Sequence, residues 1–293
     1  MKRLSLLIAA LSLVMTLFAQ TTKNEFNVTD YESINAGGVY TIELVKSSKE
    51  GVTIETESKE IMEYIKVSVS NRTLHLSMNW NDMPSSLRKK MKPVRAVVYI
   101  KELKSLNLSG ALRLQSESTF NPSQFDAKIS GAVNISGLEI NTQSAKINLS
   151  GASSLSLKGK MGKVVYIISG ASKLTINQEI ESLIIDGSGA AKIDFSGSFN
   201  TAQLSFAGAV NTKMRGKGAD DLSLEVSGAS NFNAADFPVK DMALKLSGVS
   251  AATIFVTATL KAEASGGSKI SYKGDPEIKI LDISSISTFQ KIN

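Results

Sequence analysis

The side chains able to do chemistry are few. The chain contains no cysteine, which excludes disulfides, thiolate metal sites, a cysteine nucleophile and a lipoprotein-type acylated cysteine. It contains one histidine, His75. A Ser-His-Asp triad has only that residue to use, and a multi-histidine zinc site is impossible. His75 stands in Thr73-Leu74-His75-Leu76, between two apolar residues, so strand alternation turns it to the polar face. No G-x-S-x-G, Walker or dinucleotide phrase is present, and nothing asks for a cofactor. Carboxylates remain. Asp186, Ser205 and Glu225 recur at 19 and 20 residues, each three before a glycine, with Asp194 close behind the first. Asp220-Asp221 reads as a turn. The last candidate is Trp80 to Arg95, "WNDMPSSLRKKMKPVR". This irregular loop joins the one tryptophan to Arg88, Lys89, Lys90 and Lys92. An aromatic beside a cationic cluster suits an anionic glycan or a lipid headgroup, and Trp80, Arg88, Lys89 and Lys90 are the candidate partner contacts.

Positioning these groups falls to a repeat. The phrase Ser-Gly-Ala, or a near variant, recurs at Gly110, Gly131, Gly151, Gly170, Gly189, Gly208, Gly228, Gly248 and Gly266, with steps of 18 to 21 residues. Counted from each glycine, positions −4, −2, +4 and +6 are apolar in 32 of 36 cases, against 42% for the whole chain. Polar residues such as Lys128, Asn148, Asp186, Glu225 and Lys245 stand between them. A period of two means strands with one buried face. A glycine between strands turns the chain where a Cβ would be unwelcome, and the serine before it can bond local backbone. The expectation is an all-β fold: a parallel β-helix with coils of about 20 residues, right-handed as parallel crossovers are. Two or three short strands make each coil, and the nine glycines stand at its corners. Coils stacked at about 4.8 Å place Asp186 and Glu225 roughly 9.6 Å apart, near the spacing of inverting glycosidases. The column they share, Lys128 to Glu263, otherwise reads as a solvated face.

The ends differ. Lys2 and Arg3, an uncharged run Leu4–Phe18 and the small Ala19 make residues 1–19 a secretory signal peptide. Fifteen uncharged residues are too few for a spanning helix, and the mature chain has no transmembrane segment. Without Lys2 and Arg3 its net charge is +4, mildly basic and unlike a nucleic-acid binder. Residues 20–102 hold strands at 39–44, 52–56, 65–69, 73–78 and 94–100, a turn at Asn71-Arg72 and a helical turn at 58–63. They form an N-terminal β cap or irregular opening coils. Residues 103–274 are the repeat β-helix. After Gly274-Asp275-Pro276, residues 275–293 form C-terminal cap strands. Both ends must close what would otherwise be an open sheet edge.

The opening "FNVTDYESINAGGVYTIELVKSSKEGVTIETES", then "EIMEYIKVSVSNRTLHLS", the ladder of LSGA phrases and the ending "SYKGDPEIKI" together resemble the head GIN domain family of secreted bacterial β-helix proteins, known as autotransporter adhesins. The resemblance spans nearly all of the mature chain. It implies a single-stranded right-handed β-helix at the cell envelope and brings no catalytic residues with it.

The expected function is a non-enzymatic, adhesin-like binding or structural protein presenting a rigid surface. Its location is exported: periplasm, outer-membrane surface or extracellular. Its partner is a surface glycan, a protein or an anionic envelope component. The alternatives are a pectinase-like enzyme on the same scaffold, or a carrier of lipid or a small ligand.

Overall fold

A computed structural model of the chain describes residues 21–293, the side chain of Lys90 excepted. The proposed signal peptide lies outside the described residues. The rest is an all-β parallel solenoid of about 10 turns with coils of about 19 residues.

Its body is built from β7 (Ser105–Ser116), β8 (Thr119–Phe120), β9 (Gln124–Ile129), β10 (Ala132–Ile140), β11 (Thr142–Leu149), β12 (Ser154–Ile168), β13 (Lys173–Gly189), β14 (Lys192–Gly208), β15 (Asn211–Gly228), β16 (Asn231–Leu246) and β17 (Ala251–Ala264). From β12 onward each coil is one long, bent strand rather than two or three short ones. Successive coils pair in parallel: Leu174 opposes Ile193, and Ile185 opposes Leu204. Like residues therefore stack on like. All the −4, −2, +4 and +6 positions are buried except Gly137 and Tyr272. Each ladder side chain contributes roughly 1.5–3 kcal/mol gross by leaving water, so stability is spread along the rod. Gly187 lies beneath Phe206: a Cβ there would sit 2.9 Å from the ring, so a missing side chain in one coil makes room for a large one in the next. Tyr166, fully buried, donates a hydrogen bond of 2.7 Å to Gln178 Oε1, which satisfies two polar groups inside the ladder.

The glycines form a ladder of their own. Gly170 has φ +71°, and a Cβ there would stand 2.6 Å from the carbonyl oxygen of Gly151 one coil below. The same close approach joins every neighbouring pair from Gly110 to Gly266. That carbonyl accepts the N–H of Ala171 at 2.9 Å. A second ladder stands two residues after the glycines. Ser153, Ser172, Ser230, Ser250 and Ser268 are buried. The Ser153 hydroxyl lies within reach of Gly131 O at 3.1 Å and Ser150 O at 2.7 Å, and the others repeat the pattern. These serines tie each corner both to its own coil and to the one below. The serine before the glycine acts in some coils, reaching the carbonyl of the preceding coil at 3.3 Å from Ser150.

The N-terminal region inverts chain order. After β1 (Thr22–Phe26) comes β2 (Ser33–Lys46), which pairs in parallel with β7 along its length and aligns Gly38 with Gly110. Gly38 is a tenth rung, separated from the ninefold repeat by an excursion. That excursion consists of β3 (Gly51–Thr56), α1 (Lys59–Met62), β4 (Ile65–Ser70), β5 (Thr73–Met78), α2 (Ser85–Lys90) and β6 (Val94–Ile100). β5 and β6 pair in parallel with β2 on the side away from β7, so they form the coil below it. Antiparallel pairing of β4 with β5, β3 with β6 and β1 with β3 then covers this end. Asn71 and Arg72, at φ 49° and 54°, make the tight turn between β4 and β5 that their left-handed geometry requires. The irregular loop expected at Trp80–Arg95 contains α2. At the other end β18 (Lys269–Lys273) and β19 (Glu277–Ile283) pair with β17, and β20 (Thr288–Lys291) pairs with β18.

Candidate functional site

The outward side chains of the strand segment before each glycine make one sheet face of three columns. Seven residues before the glycine stand Ser182, Thr201, Asp221, Asp241 and Thr259, in register from coil to coil. Five before stand Ile184, Gln203, Ser223, Ala243 and Lys261. The third column contains Asp186, Ser205, Glu225, Lys245 and Glu263.

The first two columns line a groove of about 480 Å³ that crosses five coils. Short side chains, Ser182, Thr201, Ser223 and Ala243, leave its depth, and Gln203 and Lys261 are the longer groups along it. Asp221 and Asp241 are register partners on neighbouring coils. Like charges directly across a strand pair repel, and this cost is partly relieved where the Thr259 hydroxyl donates to Asp241 Oδ1. The groove therefore offers hydroxyls, an amide, two carboxylates and one ammonium, but no aromatic platform. Asp220 and Asp221 lie within β15, not in the turn their pairing suggested. The signal for the groove was present in the repeat: Asp221 and Asp241 both stand seven residues before their glycines, outside the four apolar positions that carry the fold.

Asp186 and Glu225 are brought to one column, with Ser205 between them. Both are exposed, and neither lines the groove. Asp194 is on another strand segment, 3.8 Å from Lys192. His75 faces outward, its Nε2 2.9 Å from the Ser70 hydroxyl. Trp80 is half-buried and packs against the hydrophobic core, whereas Arg88 and Lys89 are exposed on α2. Lys92 and Arg95 are committed to ion pairs, with Glu57 at 2.9 Å and Glu43 at 3.2 Å. Elsewhere Glu179 lies between Lys217 at 2.8 Å and Lys160 at 3.1 Å. The hydrogen bond from Lys217 and then that from Lys160 hold its carboxyl below the ordinary carboxylate value. Among the described residues no cluster of His, Asp and Glu is arranged to hold a metal ion, and no helix is long and apolar enough to cross a membrane.

Residues 30–180 and 167–276 match the family described as "Putative auto-transporter adhesin, head GIN domain". The chain belongs to the head GIN domain family. No curated protein matches it in sequence. Among solved structures, a "putative adhesin" from Parabacteroides merdae is 18% identical with a TM-score of 0.50, over 93% of this chain and 96% of that one. A "putative lipid binding protein" from Parabacteroides distasonis is 18% identical with a TM-score of 0.46, over 93% and 97%. A "putative adhesin" from Bacteroides fragilis is 18% identical with a TM-score of 0.42, over 93% and 97%. These likenesses concern the fold. The family is described by adhesion and not by an enzymatic activity.

Proposed function

We propose that this head GIN domain protein is an exported, non-enzymatic binding protein of the cell envelope whose groove holds a neutral glycan chain. The observation that carries the reading is the five-coil groove of Ser182, Thr201, Gln203, Asp221, Ser223, Asp241, Thr259 and Lys261. Its rungs recur at about 4.8 Å, close to the advance of one sugar in an extended chain, so successive coils can address successive sugars. Carboxylates and hydroxyls are strong partners for sugar hydroxyls. Two adjacent aspartates disfavour a polyanion at the same place. A pectinase-like reaction has less support, because Asp186 and Glu225 sit outside the groove. Carriage of a lipid inside the rod has less as well, since the interior positions are filled by packed side chains. Arg88 and Lys89, exposed on α2, are a separate candidate contact for an anionic partner.

The test is a glycan array probed with the mature protein, including neutral and polyanionic chains. Binding to neutral glycans that falls at least tenfold in Asp221→Asn/Asp241→Asn, with an unchanged circular dichroism spectrum, supports the groove. Binding only to polyanions, or binding indifferent to the double variant, refutes it.

A further inference from the structure

The two ends of the rod are closed differently. The N-terminal end carries antiparallel β4, β3 and β1 over its first coil, and Ile61 and Met62 of α1 are buried there. The C-terminal end has no such cover among the described residues. β19 pairs only with β17 and β20 only with β18, so the outer edges of both present unpaired backbone N–H and C=O groups. The interior ladders also reach the surface at this end. Ile278 continues the column of buried Leu260, Leu281 that of Ala262 and Ile283 that of Ala264. Ile278 is 39% exposed, Leu281 51% and Ile286 72%. Nearby Ile280, outside the ladders and opposite Lys261, is 47% exposed. Among the described residues the other large exposed apolar side chains are scattered, at Tyr99, Ile167 and Val249. A free strand edge beside an open apolar layer is a template for pairing.

We propose that this end binds a second copy of the same chain, tail to tail, about a twofold axis perpendicular to the rod. Such an axis sets one terminal coil on another with strands antiparallel, so the free edges can hydrogen-bond and the apolar ladders close against each other. The edge suits self-pairing because it carries both signs of charge: Glu277, Lys279 and Asp282 lie on β19, with Lys279 already 3.9 Å from Glu277. A twofold rotation can oppose unlike charges here, whereas an edge of one sign would repel its copy. The contact is small. The terminal layer is β19, β20 and the turn between them, residues 277–291, because β20 covers β18. An interface below the roughly 20–30 residues per side of a standard one suits a weak, concentration-dependent dimer. A head-to-tail filament is disfavoured because the N-terminal cap ends in antiparallel strands with a covered core. A lipid bilayer is a poorer occupant, since hydrocarbon cannot satisfy a strand edge. The contact is isologous and stops at two copies.

Sedimentation equilibrium of the mature protein across the micromolar range tests the proposal, alongside flotation with neutral phosphatidylcholine vesicles. The expected result is twice the chain mass, with Ile278→Lys/Leu281→Lys weakening self-association by about 100-fold or more, because each copy would bury unpaired charge. Both residues are exposed in the single chain, so at a concentration low enough for both proteins to be monomeric the variant should keep the wild-type unfolding midpoint. The absence of native cysteine permits a second measurement that does not depend on that variant. Ile280→Cys should form an intermolecular disulfide under mild oxidation, and Lys146→Cys, exposed in mid-rod, should not. A monomer throughout, a dimer indifferent to the charged variant, equal cross-linking at both cysteines, or vesicle binding by a monomer would each overturn the assignment.

Discussion

Replacing Gly170 by valine tests the corner ladder most directly. At φ +71° an L-residue with a Cβ carries roughly 1–2 kcal/mol of backbone strain. The added carbon would also lie 2.6 Å from Gly151 O and 3.0 Å from Gly151 N. Both are backbone atoms of a neighbouring coil and cannot swing aside. Relief requires the coils to part, which stretches the bond from Ala171 N–H to Gly151 O, now 2.9 Å. Losing that backbone bond costs about 0.5–1.5 kcal/mol. The expected loss is therefore about 1.5–3.5 kcal/mol, with β-branching placing it in the upper half of that range. Urea unfolding followed by far-ultraviolet circular dichroism measures it. Two controls isolate the cause. Gly267 has no neighbouring atom within 4 Å of its would-be Cβ, so Gly267→Ala should lie within about 0.5 kcal/mol of wild type. Lys173, exposed and outward, should tolerate serine equally well. A loss below about 1 kcal/mol for Gly170→Val, or one matched by either control, would refute the claim that stacked backbone forces glycine at the corner.

Thr212 Oγ1 is buried without a hydrogen-bond partner, between Ile193 and Phe232 in its column. Thr212→Val should thus raise stability by about 1 kcal/mol in the same urea assay. Burial alone pushes the Glu50 carboxyl up, but Lys101 and the backbone N–H groups of Asp30 and Tyr31 outweigh it and hold it below its ordinary 4.5. Its contribution should be fully present above pH 4.5 and lost as pH falls through the depressed folded-state value, and Glu50→Gln should flatten that acid limb of stability against pH. Burial pushes the Tyr31 phenol up to about 12 from 10. The stability it lends is present below pH 10 and lost as pH rises toward 12, a limb that Tyr31→Phe should reduce. Pectins and other glycans incubated with the protein should release no fragments, and cleavage abolished by Asp186→Asn would revive the enzymatic alternative.

Much of the fold was legible in the sequence because a solenoid writes its contacts locally. Each rung meets the same residue type one repeat away, so the period of the Ser-Gly-Ala phrase already encodes which residues stack, and alternation about it encodes which are buried. The absence of cysteine and the single histidine by themselves narrow the chemistry. Three features needed the tertiary structure. Gly38 joins the ladder at Gly110 although 71 residues intervene, because β5 and β6 are laid beneath β2 before the chain returns above it, and no sequence period records such a crossing. The serines after the glycines gain their role from carbonyls one coil away, which composition does not distinguish from solvated serine. The groove, and the separation of Asp221 and Asp241 within it from Asp186 and Glu225 outside it, depend on the shape of an outer face where no packing constraint fixes a pattern. The open terminal layer is of the same kind: the sequence places residues 275–293 in closing strands, and only the lack of a further coil among the described residues leaves Ile278 and Leu281 at the surface.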